Sequence, residues 1–379
     1  MLRVSPEHKR VFPHRMLEEI YEQPRALRET IERSVEGGSI FSRALGSIET
    51  ALRSCERLII AASGSSRNAG LAGEIQIESL SGLAVDVEYA SEYAYRSAGT
   101  TAGTLVMVVS QSGESTDAIA ALREARKLGA TTLGVTNMPE STIAREASAV
   151  LLTRATPELA VPATKSFTTQ LAVLFLFGVR MASERGRMDS GAVRGHLDRL
   201  RALPGQLEDA LDSWSEGALE AARRFADSNT FLCIGRGVHY AIAREGALKL
   251  KEISYSHAEG YPAGELLHGP NALVGEKSVV VALATRDEND ADSVNRYERT
   301  LAVLDYVKAH HGHALVIAAQ GDLRAKASGD RTLFVPATTE LLLPLVEVVP
   351  LQLFAYHFAA LHGCDVDHPR NLVKAVVTN

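Results

Sequence analysis

The chain has 379 residues, enough for two domains of about 150 residues each. Hydrophobic residues make up 46% and charged residues 23%, a balance typical of a soluble globular protein. The formal net charge of −6 argues against a nucleic-acid-binding protein, because such proteins carry a basic face. Any anionic ligand must therefore be held by a local arrangement of donors.

Cysteine usage and apolar runs favour a reducing compartment and no membrane. Cys55, Cys233 and Cys364 lie far apart in no metal-type spacing, so we expect free thiols. The N-terminal segment MLRVSPEHKRVFPHR contains no apolar core of a secretory signal. The apolar run from Leu171 is too short to span a bilayer and the segment 341–361 is interrupted, so both are predicted as buried helices. The expected location is the cytoplasm.

In chain order, residues 1–45 are predicted to form a helical leader, since Ile20, Leu27 and Ile31 recur near a spacing of 3.6. Five apolar strands with helical segments between them follow, beginning at Glu56, Leu83, Gly103, Ala130 and Ala147. Strands that alternate with helices of about a dozen residues predict βαβ units and a parallel sheet buried on both faces.

The second half of the chain repeats this pattern. A helical stretch from Thr168 to Phe225 is predicted to break at ERGR and at Pro204-Gly205, and strands then begin at Asn229, Ser278, His313 and Arg331. LIIAASGSS from Leu58 and FLCIGRGVH from Phe231 both run from an apolar strand through a Gly-containing turn into a helix. We expect a duplicated α/β domain, with units at 46–195 and 215–362 and an extended tail at 363–379.

Hydroxyl side chains concentrate in VVSQSGESTDAI, where a predicted strand ends and a helix begins. Ligands of open parallel sheets bind outside the carboxyl ends of the strands, and a helix N-terminus there favours an anion. The segment therefore predicts a phosphate cradle made by Ser110, Gln111, Ser112 and Ser115. The alternative is that these residues are ordinary N-caps and turn residues.

A second strand end, ASGSS, places Ser65 and Ser66 beside Gly64, which strengthens the cradle interpretation. The matching loops of the second half, IGRGVHY and ALATRDEN, lack such clustering, so one phosphate site is expected, in the first unit. GRGVHY is not interpreted as a dinucleotide motif, because it lacks a third glycine and an acidic residue about 20 positions on.

Proton-transfer groups concentrate in REGALKLKEISYSHAEGYPAGELLHGP. Glu245, Lys249 and Glu252 are spaced i, i+4, i+7 and share one helix face. A solvated ion-pair ladder is the alternative, but the polar groups continue with His257, Glu259, Tyr261, Glu265 and His268. By contrast, His310, His311 and His313 lack partners for a metal site, and no metal is predicted.

These motifs make the chain recognisable. It resembles the isomerase portion of glucosamine-6-phosphate synthases, which consists of two sugar-isomerase (SIS) domains. The resemblance runs from MLEEIYEQP through SQSGES, TKSFTTQ, EGALKLKEISYSHAE and GELLHGP to the tail DVDHPRNLVK, nearly the whole chain. It implies an α/β fold of two tandem SIS domains, each a flavodoxin-like parallel-sheet αβα sandwich, followed by a C-terminal tail.

The resemblance also implies roles for individual residues. Glu252 matches the base that moves a proton between C1 and C2 of the open-chain sugar, and His268 matches the ring-opening group, which in this family reaches into the partner subunit's site. Lys374 matches the tail lysine that closes over the substrate, and Lys249 matches the helix lysine near it. The implied substrate contacts are Ser65, Ser66, Ser110, Gln111, Ser112, Ser115, Val161, Ala163 and Glu245.

Three departures from the family pattern bear on the substrate. The chain begins where the isomerase portion begins, so we expect no glutaminase domain and no use of glutamine through this chain alone. Where the family has V-A-S-T-K, this chain has Val161-Pro162-Ala163-Thr164-Lys165. Where the family has Gly-Cys-Gly-Thr-Ser, this chain has Ala62-Ser63-Gly64-Ser65-Ser66. Both changes lie near the sugar and leave its identity open.

The sequence thus predicts an aldose–ketose isomerase that interconverts glucosamine 6-phosphate with fructose 6-phosphate and ammonia. No metal or organic cofactor is expected, and a homodimer follows if His268 acts in trans. The alternatives are a deglycase for fructosamine-type 6-phosphates, a galactosamine 6-phosphate enzyme and, from another class, a non-catalytic phosphosugar sensor.

Overall fold

The computed structural model of the chain describes residues 10–96 and 99–374. The N-terminal elements are α1 (Arg15–Tyr21), α2 (Gln23–Ser34), β1 (Val35–Glu36), β2 (Ser39–Ile40), α3 (Ser42–Leu45) and α4 (Glu49–Ser54). The predicted leader is therefore interrupted by a hairpin, because Gly37 and Gly38 adopt φ of 56° and 82° and turn the chain between β1 and β2. Its residues 1–9 lie outside the described residues.

The first α/β unit alternates strands and helices as predicted. Its elements are β3 (Arg57–Ala62), α5 (Gly64–Ser81), β4 (Ala84–Tyr89), α6 (Ala90–Arg96), β5 (Thr104–Val109), α7 (Thr116–Lys127), β6 (Thr131–Thr136), α8 (Thr142–Glu146) and β7 (Ala149–Leu152). All strand pairs are parallel and the order is β4-β3-β5-β6-β7. This is the flavodoxin-like order 2-1-3-4-5, which leaves the strand ends open to a ligand.

Two long helices join the units, α9 (Lys165–Glu184) and α10 (Ser190–Arg224). The break predicted at ERGR is present between them, but the turn predicted at Pro204-Gly205 is wrong, since α10 runs through Pro204. A proline inside a helix costs about 3 kcal/mol. The buried face of α10, which includes Leu200, Leu207 and Trp214 and packs on α2 and α14, offsets this cost.

The second unit repeats the first. Its elements are β8 (Thr230–Gly235), α11 (Val238–Ser254), β9 (His257–Pro262), β10 (Ser278–Ala284), α12 (Ala291–Ala309), β11 (His313–Ala319), α13 (Leu323–Ala327), β12 (Arg331–Val335) and α14 (Leu343–Leu361). The strands are again parallel, and their order β12-β11-β10-β8-β9 is again flavodoxin-like. The predicted fold class of two parallel-sheet α/β units is confirmed.

One strand was not predicted. The stretch His257–Pro262, interpreted only as a source of proton-transfer groups, forms the edge strand β9, which pairs with β8 alone. Its side chains are mostly half-buried, so it lacks the apolar run that marks central strands.

The most apolar helices form the centre of the protein. Lys165–Glu184 and Glu340–Leu361 are long and apolar enough to cross a membrane, but 89% of each apolar stretch is buried inside the protein. They are core helices, as predicted. Helix α5 of the first unit packs on both α9 and α11, which brings the polar helix of the second unit against the strand ends of the first.

Candidate active site

The turn after β5 folds the predicted cradle around Gly113. Gly113 has φ of 65°, and its amide donates to Ser110 Oγ at 3.1 Å. A side chain is excluded there, because a Cβ would lie 2.1 Å from Ser141 Oγ. Glycine thus lets the turn bring Ser110 within hydrogen-bond distance of Ser115, with 3.1 Å between the two hydroxyl oxygens.

The hydroxyls in this turn are only partly used by the backbone. Ser110 and Ser112 accept turn amides, as the N-cap and turn interpretation requires. Ser115, however, occupies the N-cap position of α7 without capping it through its side chain, and Ser63 does the same on α5. Donors therefore remain at two adjacent helix N-termini, an arrangement suited to an anion.

A buried charge cluster lies on α11, directly behind Ser65. Lys249 Nζ is 2.5 Å from Glu252 Oε2 and 3.4 Å from Glu245 Oε1, and Ser65 donates to Glu245 at 2.8 Å. Burial opposes the charge on Lys249, but the two carboxylates outweigh it and raise its pKa. The pKa of Glu245 is raised by its complete burial. One ammonium thus holds two carboxylates in place, of which Glu252 is the more exposed.

The cradle and Glu252 line the same cavity, which has a volume of about 340 Å³ and which we call the serine cavity. Its polar lining consists of Ser63, Ser65, Ser66, Ser110, Gln111, Ser112, Ser115, Thr116, Asp117, Glu158, Ser166, Gln170, Glu252 and Lys374. Val161 and Ala163, which were predicted to contact the substrate, also line it. The sheet of one unit and the polar helix of the other therefore meet in a single space.

The tail closes one wall of this cavity. Lys374 Nζ lies 2.5 Å from Glu158 Oε2 and donates to the Ala160 carbonyl, while Leu372 and Val373 line the cavity beside it. Burial disfavours the charged form of Glu158, but Lys374 and the amides of Thr164 and Ser166 outweigh it and lower the pKa of Glu158. The predicted part of the tail at 375–379 lies outside the described residues.

Three predicted site residues are not in the cavity lining. Glu245 and Lys249 are completely buried behind Ser65 and Glu252, so they support the lining without forming it. His268 is exposed on the turn after a short 3-10 helix and does not line the cavity of its own chain.

Glu158, Ser166 and Gln170 line the cavity but were not predicted as site residues. Ser166 and Gln170 are polar positions of TKSFTTQ at the start of the otherwise apolar α9, a signal that the sequence offered. Gln170 Oε1 is buried with no hydrogen-bond partner among the described residues, so it is free to accept a hydrogen bond from a ligand. Glu158 follows β7 with no motif around it, and only the folded chain brings it to Lys374.

The arrangement suits an anionic ligand. Uncharged donors and helix N-termini hold anions, and a carboxylate braced by an ammonium moves protons. Within residues 10–96 and 99–374, no group of three or more His, Cys, Asp or Glu side chains is placed to hold a metal ion.

Comparison with known proteins agrees with this architecture. The family model described as the SIS domain matches residues 51–180 and 224–362. A glutamine–fructose-6-phosphate aminotransferase (isomerizing) from Methanosarcina acetivorans is 43% identical over 367 residues, which is 96% of this chain and 58% of the relative. The chain spans about three fifths of the length of such relatives.

Solved structures give the same result. The C-terminal domain of glucosamine-fructose-6-phosphate aminotransferase from Francisella tularensis superposes with a TM-score of 0.87 at 35% identity, covering 96% of this chain and 100% of that one. A glucosamine-6-phosphate deaminase from Thermotoga maritima shares the fold, with a TM-score of 0.73 at 21% identity over 96% of this chain and 99% of that one.

Proposed function

The chain belongs to the SIS domain family, and from this premise we propose that it is a phosphosugar aldose–ketose isomerase acting on an amino sugar phosphate. The reaction is the interconversion of glucosamine 6-phosphate and water with fructose 6-phosphate and ammonia. The observation that carries the proposal is that Glu252 lines the same cavity as the hydroxyl cradle.

In this proposal the cradle binds the phosphate. Ser110, Ser112 and Ser115 present hydroxyls beside the N-terminus of α7, while Ser66 lies at the N-terminus of α5. Neutral donors and helix ends stabilise a phosphate dianion without a fixed counter-charge. The carbon chain then extends through the cavity toward Glu252.

Glu252 transfers the proton. In the deaminating direction it takes the proton from C2 of the open-chain sugar while O1 gains a proton, which gives an enolamine. Glu252 then returns its proton to C1 while the nitrogen loses one, which leaves an imine at C2. Water then adds to the resulting C2 imine, and ammonia leaves. Lys249 holds the carboxylate at 2.5 Å and its positive charge stabilises the electron-rich intermediate. Lys374 and the tail cover the substrate during these steps.

His268 is proposed as the ring-opening acid–base group, supplied by a second subunit. It is exposed in its own chain and outside the lining of its own cavity, which is compatible with a role across a homodimer interface. We further propose units at 46–195 and 215–362 within each subunit, and a cytoplasmic location.

An assay of ammonia release tests the function. The chain is incubated with glucosamine 6-phosphate, galactosamine 6-phosphate and a fructosamine-type 6-phosphate, and the reverse reaction is run with fructose 6-phosphate and ammonium. The proposal expects turnover of glucosamine 6-phosphate above the other two sugars. If only one of the other two sugars is turned over, that sugar replaces glucosamine 6-phosphate as the proposed substrate, and the proposed reaction class is unchanged.

Solvent deuterium exchange separates an enzyme from a sensor. An isomerase whose base exchanges its proton with solvent incorporates deuterium at C1 or C2 of the sugar, and Glu252→Gln should slow the incorporation about 10³-fold. A wild type that binds the sugar phosphates but exchanges no carbon-bound proton would overturn the enzymatic proposal.

A further inference from the structure

A second cavity lies beside the serine cavity, and no step of the proposed reaction uses it. Its volume is about 350 Å³, and its lining includes Gly64, Arg67, Tyr89, Arg244, Lys251 and Glu259. Gly64, the first residue of α5, lines both cavities, so the two are neighbours across one helix N-terminus. We call this space the basic cavity.

The charges of the basic cavity are unbalanced. Three cationic side chains line it, and none of them has a carboxylate oxygen within 4.0 Å among the described residues. The single carboxylate of the lining, Glu259, accepts the Tyr261 hydroxyl and lies 3.9 Å from His257. Positive charge that gathers in a partly buried space without a counter-ion attracts an anion.

Neutral groups hold the two arginines in place. The Arg67 guanidinium stacks on the ring of Tyr89 with 3.8 Å to the centroid, and its Nε and Nη1 are buried without a hydrogen-bond partner among the described residues. Arg244 donates to Tyr240 Oη at 3.0 Å and to Asn68 Oδ1 at 3.4 Å. Burial lowers the pKa of Arg67, and the nearby charge of Arg244 lowers it further. Two guanidinium groups are thus fixed in the same cavity. Burying their charges costs free energy, and a bound anion would lower that cost.

We propose that the basic cavity binds a phosphorylated, sugar-sized effector. Guanidinium groups match the geometry of phosphate oxygens, and Lys251 adds a third cation. Glu259 and the Tyr89 hydroxyl provide partners for the hydroxyl groups of a polyol. The basic cavity, at about 350 Å³, is as large as the serine cavity, at about 340 Å³, so a ligand of substrate size fits.

A chain of contacts connects this effector site to the base. Arg244 contacts Asn68, whose Nδ2 donates to Glu245 at 2.9 Å. Glu245 also binds Lys249, and Lys249 holds Glu252 at 2.5 Å. An anion that draws Arg244 toward itself therefore alters the support of Glu252. The coupling rests on the proposed function, whereas the binding site does not.

Calorimetry tests the binding site without reference to activity. Glucitol 6-phosphate is the probe, because it has no carbonyl group and does not isomerise. The wild-type chain is expected to bind it at two sites. R67Q/R244Q should weaken one of them about tenfold or more and keep the other, and S110A/S112A should show the reverse. A single site that S110A/S112A removes and R67Q/R244Q preserves would overturn the proposal.

Two controls complete the binding experiment. If circular dichroism shows that R67Q/R244Q is unfolded, Leu248→Glu places a carboxylate on the cavity wall and is expected to remove the same site. Inorganic phosphate is the second probe. Weaker binding of phosphate than of glucitol 6-phosphate at this site supports a sugar phosphate, whereas equal affinity would refute recognition of the polyol.

Inhibition kinetics test the coupling. Glucitol 6-phosphate should inhibit the wild type by changing both kcat and KM, and R67Q/R244Q should make the inhibition purely competitive. Purely competitive inhibition of both proteins would refute the coupling. If the chain turns over no amino sugar phosphate, the proposed function fails, while calorimetry still decides the fate of the effector site.

Discussion

The two α/β units share a topology but use the carboxyl ends of their strands differently. In the first unit, Ser110 follows β5 and its hydroxyl lines an open cavity. In the second, Thr285 follows β10 at the equivalent position, and its hydroxyl donates to the buried Glu347. The same edge of the sheet lines an open cavity in one unit and is filled by protein side chains in the other.

Protein side chains occupy the edge of the second unit. His239 Nδ1 lies 2.8 Å from Glu347 Oε1 and its Nε2 3.3 Å from Glu340, which also binds Arg296 and Ser293. Glu340 follows the last strand of its sheet much as Glu158 follows the last strand of the first. In the second unit the Glu347 carboxylate accepts the Thr285 hydroxyl, whereas in the first unit Ser110 and Glu158 both line an open cavity. The two sheets have similar edges, and the side chains that follow the strands determine which of the edges stays open.

Neutralising one carboxylate beside each sheet edge should separate the two edges most clearly, since Glu252 lines the serine cavity and Glu347 accepts the Thr285 hydroxyl. Glu252→Gln is expected to slow exchange of the sugar C2 proton about 10³-fold, since the base is lost. Glu347→Gln should leave exchange within about twofold and lower the free energy of unfolding by about 3 kcal/mol, because it breaks a buried ion pair. Deuterium exchange followed by NMR and urea unfolding measure the two effects. Loss of exchange in Glu347→Gln would contradict the division of roles.

The buried histidine gives the second unit a characteristic pH dependence. Burial opposes its charge, but Glu347 and Glu340 outweigh burial and raise the pKa of His239 from 6.5 to about 10. A raised pKa adds stability that is complete below pH 6.5 and is lost as the pH rises toward 10. His239→Gln should therefore cost about 3 kcal/mol at pH 6 and progressively less toward pH 10. Urea unfolding across this range measures the difference, and a cost that is independent of pH would contradict the charged state of His239.

The smallest expected effects come from the two matched hydroxyls. Ser110→Ala should weaken binding of the sugar phosphate several-fold and lower the free energy of unfolding by about 1 kcal/mol, because the Gly113 amide loses its acceptor. Thr285→Val should leave binding unchanged and lower the free energy of unfolding by about 1 kcal/mol. Calorimetry and thermal unfolding of both variants provide the test. Equal effects of the two variants on binding would mean that the second edge also takes part in ligand recognition.

The sequence was sufficient to predict the central strands and to place the hydroxyls of the cradle between a strand and a helix, because both features follow from local pattern. Strands such as β5 and β10 are completely buried, so their apolar runs are unambiguous. The edge strand β9 was missed because it pairs on one side only and is partly exposed. Its sequence therefore lacks the apolar run of a central strand. The break at Pro204 was wrong because packing of α10 outweighs the local penalty of proline.

The same reasoning applies to the site. Ser110 and Ser112 were predictable because the turn brings them together locally, and Glu252 because it shares a helix face with Lys249. Glu158 was not, because its partner Lys374 is far away along the chain and only the complete fold joins them. That Glu245 and Lys249 support the site from behind Ser65 is likewise a property of the packing between α5 and α11.

The distance along the chain between the walls of the serine cavity has a consequence for biosynthesis. The cavity is lined both by Ser63 and by Lys374, and the Asp367 carboxylate accepts the amides of Arg15 and Met16 at the start of α1. A ribosome releases these segments in order, so α1 and the cradle are made before the residues of the tail that complete the wall of the cavity. Premature termination anywhere upstream of the tail would yield polypeptides in which that wall is missing.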